Sequence, residues 1–258
     1  MLDGYCRIAT PSTLTRTAPK ISYAVFFLAI TCAIGIYASY STQRLGMPLR
    51  DDLFVAMDRA LGVDLPTFLQ WIDQRLLLAE VFRHAYATMA LQMVAPILIL
   101  GFAEHEQELR SYLVALPLAL ILTIAVAAFA PSTGSVWLTE HLNLNVLHFT
   151  GQTPVDQLRR LREAGPLVIG NEGLGGLLAF PSFHVASTMV VTLSLRAIRP
   201  AFFGLLSINA LLIIGTITEG GHYAVDSIGG IATAFAAYSL AEKILRFRRS
   251  AESLERHA

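Results

Sequence analysis

The sequence predicts an all-α, polytopic membrane protein: a bundle of about six transmembrane helices with short interfacial helices beside it. Two observations carry this. Of 258 residues, 54% are hydrophobic and only 15% charged, where soluble domains carry roughly a quarter charged residues. The apolar residues also fall in long uncharged runs, close to the ~20 residues a helix needs to cross about 30 Å of hydrocarbon. Mean hydropathy is +0.56, and 19 basic side chains balance 19 acidic ones. That balance excludes a disordered chain and a nucleic-acid binder with a net basic field.

Taken in order, the spans are expected near 21–40, 83–103, 111–130, 183–198, 200–218 and 223–244. Residues 1–20 and 246–258 read as tails of a single domain covering 1–258. The first span follows a long polar stretch and lacks a good cleavage site around Ala38 and Ser39, so it is expected to stay uncleaved. Cys6 in the tail and Cys32 inside the first span cannot form a disulfide framework. With six spans both termini share a side. Arg7, Arg16, Lys20, Arg110, Arg196, Arg199, Lys243, Arg246, Arg248, Arg249 and Arg256 then lie together. The other basic residues sit mainly in two long loops, which count for little, so both termini are expected in the cytoplasm of a plasma (inner) membrane.

The two loops opposite the termini differ. Over 48–76, Leu53, Met57 and Leu61 recur every four residues, and Leu65, Leu69 and Ile72 make a second stripe after Gly62. Asp51, Asp52 and Asp64 suit helix starts, and Pro66 fits a first turn. These short helices either lie in the membrane interface with Trp71 as an anchor or pack as a cap on the bundle. The second loop, 131–181, carries a helix start at Thr153-Pro154-Val155-Asp156, followed by Arg159, Arg160 and Arg162. Those arginines can meet phosphates of substrate or lipid, or form only a solvated face. Gly170 to Gly176 then allows a turn or a close approach to a ligand.

Polar groups inside spans are costly, which draws attention to two helix starts. The fourth span opens Pro181-Ser182-Phe183-His184, and the sixth opens His222-Tyr223-Ala224-Val225-Asp226. Both are entered from the same side of the membrane. His222 and Asp226 are four apart, hence neighbours on one helical face. An aspartate there fixes the imidazole tautomer and frees the other nitrogen as nucleophile or base. A second histidine on an adjacent helix can protonate a leaving group. Unsatisfied amides at the helix starts suit an anion such as phosphate.

These residues resemble the type 2 phosphatidic acid phosphatase superfamily, whose motifs are K-x6-R-P, P-S-G-H and S-R-x5-H-x3-D. The second reads here Pro181-Ser182-Phe183-His184, with phenylalanine in place of glycine. The third keeps His222 and Asp226, while its serine and arginine positions fall on Gly215 and Thr216. The first is absent, since Arg199-Pro200 has no lysine seven residues before it. This pattern is similar to the inositol phosphorylceramide synthase-like branch.

The resemblance implies that His222 attacks phosphorus, Asp226 orients it and His184 protonates the departing oxygen. Ser182 and the backbone around Phe183 and His184 would hold phosphate oxygens, with Arg159, Arg160 and Arg162 as candidates to replace the missing basic residues. Arg83 and His84 are further candidates. The implied partners are a membrane lipid phosphate or phospholipid and a water, alcohol or lipid acceptor, with no cofactor, no metal and no nucleic acid. Two other classes compete: a transporter or scaffold using His222 and Asp226 as a proton relay, and a metal site on the two histidines and the aspartate.

Overall fold

A computed structural model of the chain describes residues 11–139, 142–147, 149–150, 152–163 and 176–255, without the side chains of 11–14 and 152–154. Cys6 and Gly170 to Gly175 lie outside the described residues. The described residues form eleven helices: α1 (Pro11–Gln43), α2 (Asp51–Ala60), α3 (Leu65–Asp73), α4 (Leu76–Ala87), α5 (Met89–Phe102), α6 (Glu106–Phe129), α7 (Val136–Thr139), α8 (Gln152–Arg162), α9 (Phe183–Ser194), α10 (Arg199–Thr218) and α11 (Ala224–Glu255). The predicted polytopic bundle is what the fold shows.

Four helices, α1, α6, α10 and α11, are long and apolar enough to cross a membrane, and α4 with α5 makes a fifth span bent by 47°. The bend falls at Thr88, whose hydroxyl donates to Ala85 O at 2.6 Å and accepts from Gln92 Nε2 at 2.8 Å. Where the sequence predicts a span over 183–198, α9 has only 12 residues, about 18 Å of helix. It is short because it does not meet lipid alone. Val185, Ala186, Val190 and Val191 are fully buried, and α5, α6, α10 and α11 pack around it.

The central core joins α1, α5, α6, α9 and α11, with Tyr112, Ala115, Ala119, Leu195, Ala234 and Ala237 buried where these helices meet. Small residues there let helices approach closely, which matters where lipid supplies no hydrophobic drive. At the far end, Lys20 of α1 pairs with Glu106 at the start of α6, and Arg196 pairs with Glu242. At the near end, Tyr40 of α1 donates to Gln157 of α8. The described part of the chain starts and finishes at the far end.

The near end is capped. The 48–76 segment forms α2 and α3, and its two stripes part company. Leu65, Leu69 and Ile72 are buried, while Leu53, Met57 and Leu61 are exposed. From α2 it is Phe54 and Asp58 that face inward. Phe54 and Leu65 pack with Tyr223 and Val225; Leu69 and Ile72 pack with Phe82 and Leu147. Trp71 stays half exposed, with the Arg75 guanidinium 4.0 Å over its ring.

Candidate active site

The starts of α9 and α11 come together at the near end. Ser182 caps α9: its backbone is extended and its Oγ accepts from Val185 N at 3.4 Å. The amides of Phe183 and His184, in the first turn, have no acceptor within the helix. Ser182 N donates to Asp226 O at 3.0 Å, which ties the two helix starts backbone to backbone.

His222 precedes α11, its N–H donating to Thr216 O at 3.1 Å. Its Nδ1 donates to Asp226 Oδ2 at 3.1 Å, and Tyr223 N donates to the same oxygen at 3.0 Å. With Asp226 ionised, its carboxylate can only accept, which puts the ring proton on Nδ1 and leaves the lone pair on Nε2. Nε2 lies 3.4 Å from Ser182 Oγ. Burial pulls the pKa of His222 down to about 4, against a smaller opposing effect of the Ala179 backbone. The imidazole is therefore neutral near pH 7. His184 stands across from it, ring centroids 5.8 Å apart and edge to face at 68°.

Both histidines line a cavity of about 340 Å³, together with Tyr86, Ser132, Thr133, Thr150, Gly220 and Gly221. Neighbouring carboxylates brace the segments around it from behind. Asp51 does not cap its own helix; it accepts from Ser132 Oγ at 2.7 Å, Thr133 N at 3.0 Å and Tyr223 OH at 3.1 Å. Asp58 accepts from Ala224 N and Val225 N at 3.0 and 2.8 Å, closing the start of α11 from outside. Burial pushes its carboxyl above the usual range despite those two amides. Among the described residues, no group of three or more His, Cys, Asp or Glu side chains is placed to hold a metal ion.

Of the residues singled out in the sequence, the structure brings His222, His184, Asp226 and Ser182 together. Phe183 turns its ring into the central core, leaving only its amide at the helix start. The arginines of α8 fall elsewhere. Val155, Leu158 and Leu161 are that helix's buried face, which leaves Arg159 and Arg160 exposed. Arg162 donates to Met47 O, and none of the three lines the cavity. Arg83 is engaged by Glu80, Glu219 and the Val146 carbonyl, while the side chain of His84 is largely exposed. Thr216, at the superfamily's arginine position, donates to Ile213 O at 2.7 Å and lies 3.3 Å from Ser227 Oγ.

Sequence reasoning missed Tyr86, whose hydroxyl lies 3.0 Å from His184 Nε2. The available signal was the polar run Arg83, His84, Tyr86 and Thr88 inside a span. It also read Asp51 as a helix starter only, and gave Asp58 no role.

A family model described as PAP2 superfamily matches residues 52–240, from α2 into α11. The chain belongs to the PAP2 superfamily. Its members are phosphatases and phosphotransferases, so this protein is an enzyme of that general kind, and with its long apolar helices an integral membrane one. The matched residues include every group placed at the cavity's two helix starts. Comparison with curated proteins and with solved structures gives no match.

Proposed function

We propose that this superfamily member cleaves or transfers a phosphate-linked group on a membrane lipid through a phosphohistidine on His222. The observation that carries the reading is the hydrogen-bonded pair His222–Asp226, whose bare Nε2 faces the cavity-lining start of α9. Nε2 attacks phosphorus, the bond to the leaving oxygen breaks, and His184 supplies the proton that oxygen takes up. Asp226 stabilises the positive charge that develops on the attacking ring. Ser182 Oγ and the free amides of Phe183 and His184 are the donors for phosphate oxygens. Water or an alcohol then accepts the phosphoryl group from His222. The exposed stripe Leu53, Met57 and Leu61 beside the site suits contact with the lipid's tails.

One observation favours headgroup transfer, of the inositol phosphorylceramide synthase-like kind, over monoester hydrolysis. Among the described residues, no lysine or arginine lines the cavity, and the sequence of 164–175 contains none. A phosphodiester carries one negative charge where a monoester carries nearly two at pH 7. A cavity lined by neutral side chains such as Tyr86, Ser132, Thr133 and Thr150 suits the single charge better.

The test is turnover of a panel of lipid phosphomonoesters and phosphodiesters, with and without an alcohol acceptor. We expect diesters to be used in preference and product to require the acceptor. His222→Ala and His184→Ala are each expected to reduce turnover by roughly 10³-fold or more. Full turnover in both variants, correctly folded, would refute the mechanism.

A further inference from the structure

The two histidines of the site have different partners. His222 is held by a carboxylate. His184 is held by a phenol: Tyr86 places its hydroxyl 3.0 Å from Nε2 and stacks its ring on the imidazole, centroids 5.0 Å apart and 24° from parallel. This contact is built into three elements. Tyr86 sits in the last turn of α4, two residues before Thr88, where the 47° break separates α4 from α5. α4 lies against α10 because Gly215 has no side chain; a Cβ there would meet Phe82 O at 2.6 Å and Tyr86 Cβ at 3.1 Å. At Gly220 a Cβ would meet Tyr86 Cε2 and His222 Cδ2, each at 3.2 Å. Two glycines therefore leave room for one tyrosine between the histidines and the bundle wall.

We infer that Tyr86 is the positioning residue of His184, doing for the proton donor what Asp226 does for the nucleophile. The stack fixes the plane of the imidazole, and the hydroxyl, which both donates and accepts, occupies Nε2 in either protonation state. The difference between the partners has a chemical sense. A carboxylate stabilises an imidazolium and so retains its proton, which suits a ring that becomes cationic on attack. A neutral phenol holds the ring in place without that pull, which suits a ring that must give its proton away. The inference rests on the phosphoryl-transfer reading above, since it assigns Tyr86 to the departure step of that reaction.

The experiment compares Tyr86→Phe with the unaltered full-length protein on two esters of the same phosphate group, one with an alkyl and one with a p-nitrophenyl leaving group. Phenylalanine keeps the ring stack, and a melting curve checks the fold; Tyr86→Leu serves as the second variant. An alkoxide needs the proton and a nitrophenolate does not, so removal of the hydroxyl is expected to lower kcat roughly tenfold or more on the alkyl ester. On the nitrophenyl ester the change is expected to stay below about threefold. In a His184→Ala background the Tyr86→Phe effect on the alkyl ester should vanish. Equal losses on both esters, or none on either, would overturn the assignment of Tyr86. No turnover of either ester by the unaltered protein would instead overturn the phosphoryl-transfer reading itself.

Discussion

At His222, one hydrogen bond and burial act on different properties of the same ring. The bond to Asp226 Oδ2 chooses the tautomer, and burial keeps the ring neutral by drawing its pKa to about 4. A nucleophilic histidine must be unprotonated, and kcat/KM reports the protonation of the free enzyme. The acid limb attributable to His222 is therefore expected well below the unperturbed histidine value of about 6.5. Measured between pH 4 and 7 on a soluble p-nitrophenyl ester, whose leaving group needs no proton from His184, kcat/KM should hold down to about pH 5 before falling. A limb near 6.5 would show that the ring is solvated. The same shift affects stability: the unfolded chain takes up a proton near 6.5 that the folded ring refuses until about 4. Stability from this group is thus full above the unfolded pKa and is lost as pH falls toward the folded one. His222, His184, Asp226 and Ser182 could be read from the sequence because each is a polar exception in an apolar background, at a spacing that a helix turns into adjacency. Tyr86 stands out only as one member of a polar run, because the bend at Thr88 and the gap at Gly215 are what bring it to His184.

Among the elements, α2 and α3 brace the segments around the cavity from outside, and they do so through carboxylates. Asp73 closes α3 by accepting from the amides of Asn145, Val146 and Leu147 at 2.8–3.1 Å. Burial raises its pKa, but these bonds outweigh burial and hold the carboxyl below its usual range. They seat Leu147 beside Leu69, Ile72 and Phe82, next to the segment that carries Thr150. Asp73→Ala strands three amides and is expected to cost about 1–3 kcal/mol, read as a lowered melting temperature at pH 7. The stabilisation is present above the unfolded carboxyl pKa of about 3.9 and disappears as pH falls through the lower folded value. The difference between Asp73→Ala and the unaltered protein should therefore shrink in strong acid, and a difference independent of pH would contradict the account. The stripes of 48–76 show why this layer was half legible. Periodicity found both helices, but Leu53, Met57 and Leu61 repeat as regularly as a buried face would while remaining exposed. A pattern of period four cannot say whether the apolar neighbour is protein or lipid. Likewise the arginines of α8 were visible, but the buried face of Val155, Leu158 and Leu161 decides where they point.

For the whole molecule, hydropathy located the apolar helices and overstated one. The short α9 is surrounded by four neighbours, so its 12 residues complete a traverse that would be too short in lipid. That shortness belongs to the function as much as to the fold, because it sets the start of α9, with Ser182 and His184, within the bundle beside the start of α11. The remaining architecture supports this placement: α10 connects the two site helices, α4 delivers Tyr86 beside it, and α2 and α3 close the near end over Tyr223 and Val225. In the proposed reaction His222 becomes covalently phosphorylated. The most direct test is to mix the purified protein with a substrate labelled in the phosphate and quench within the first turnover, then locate the label by peptide mapping. The label should be acid-labile, stable in alkali, carried by His222 and missing from a folded His222→Gln variant. Label on any other residue, or undiminished turnover in that variant, would contradict the account.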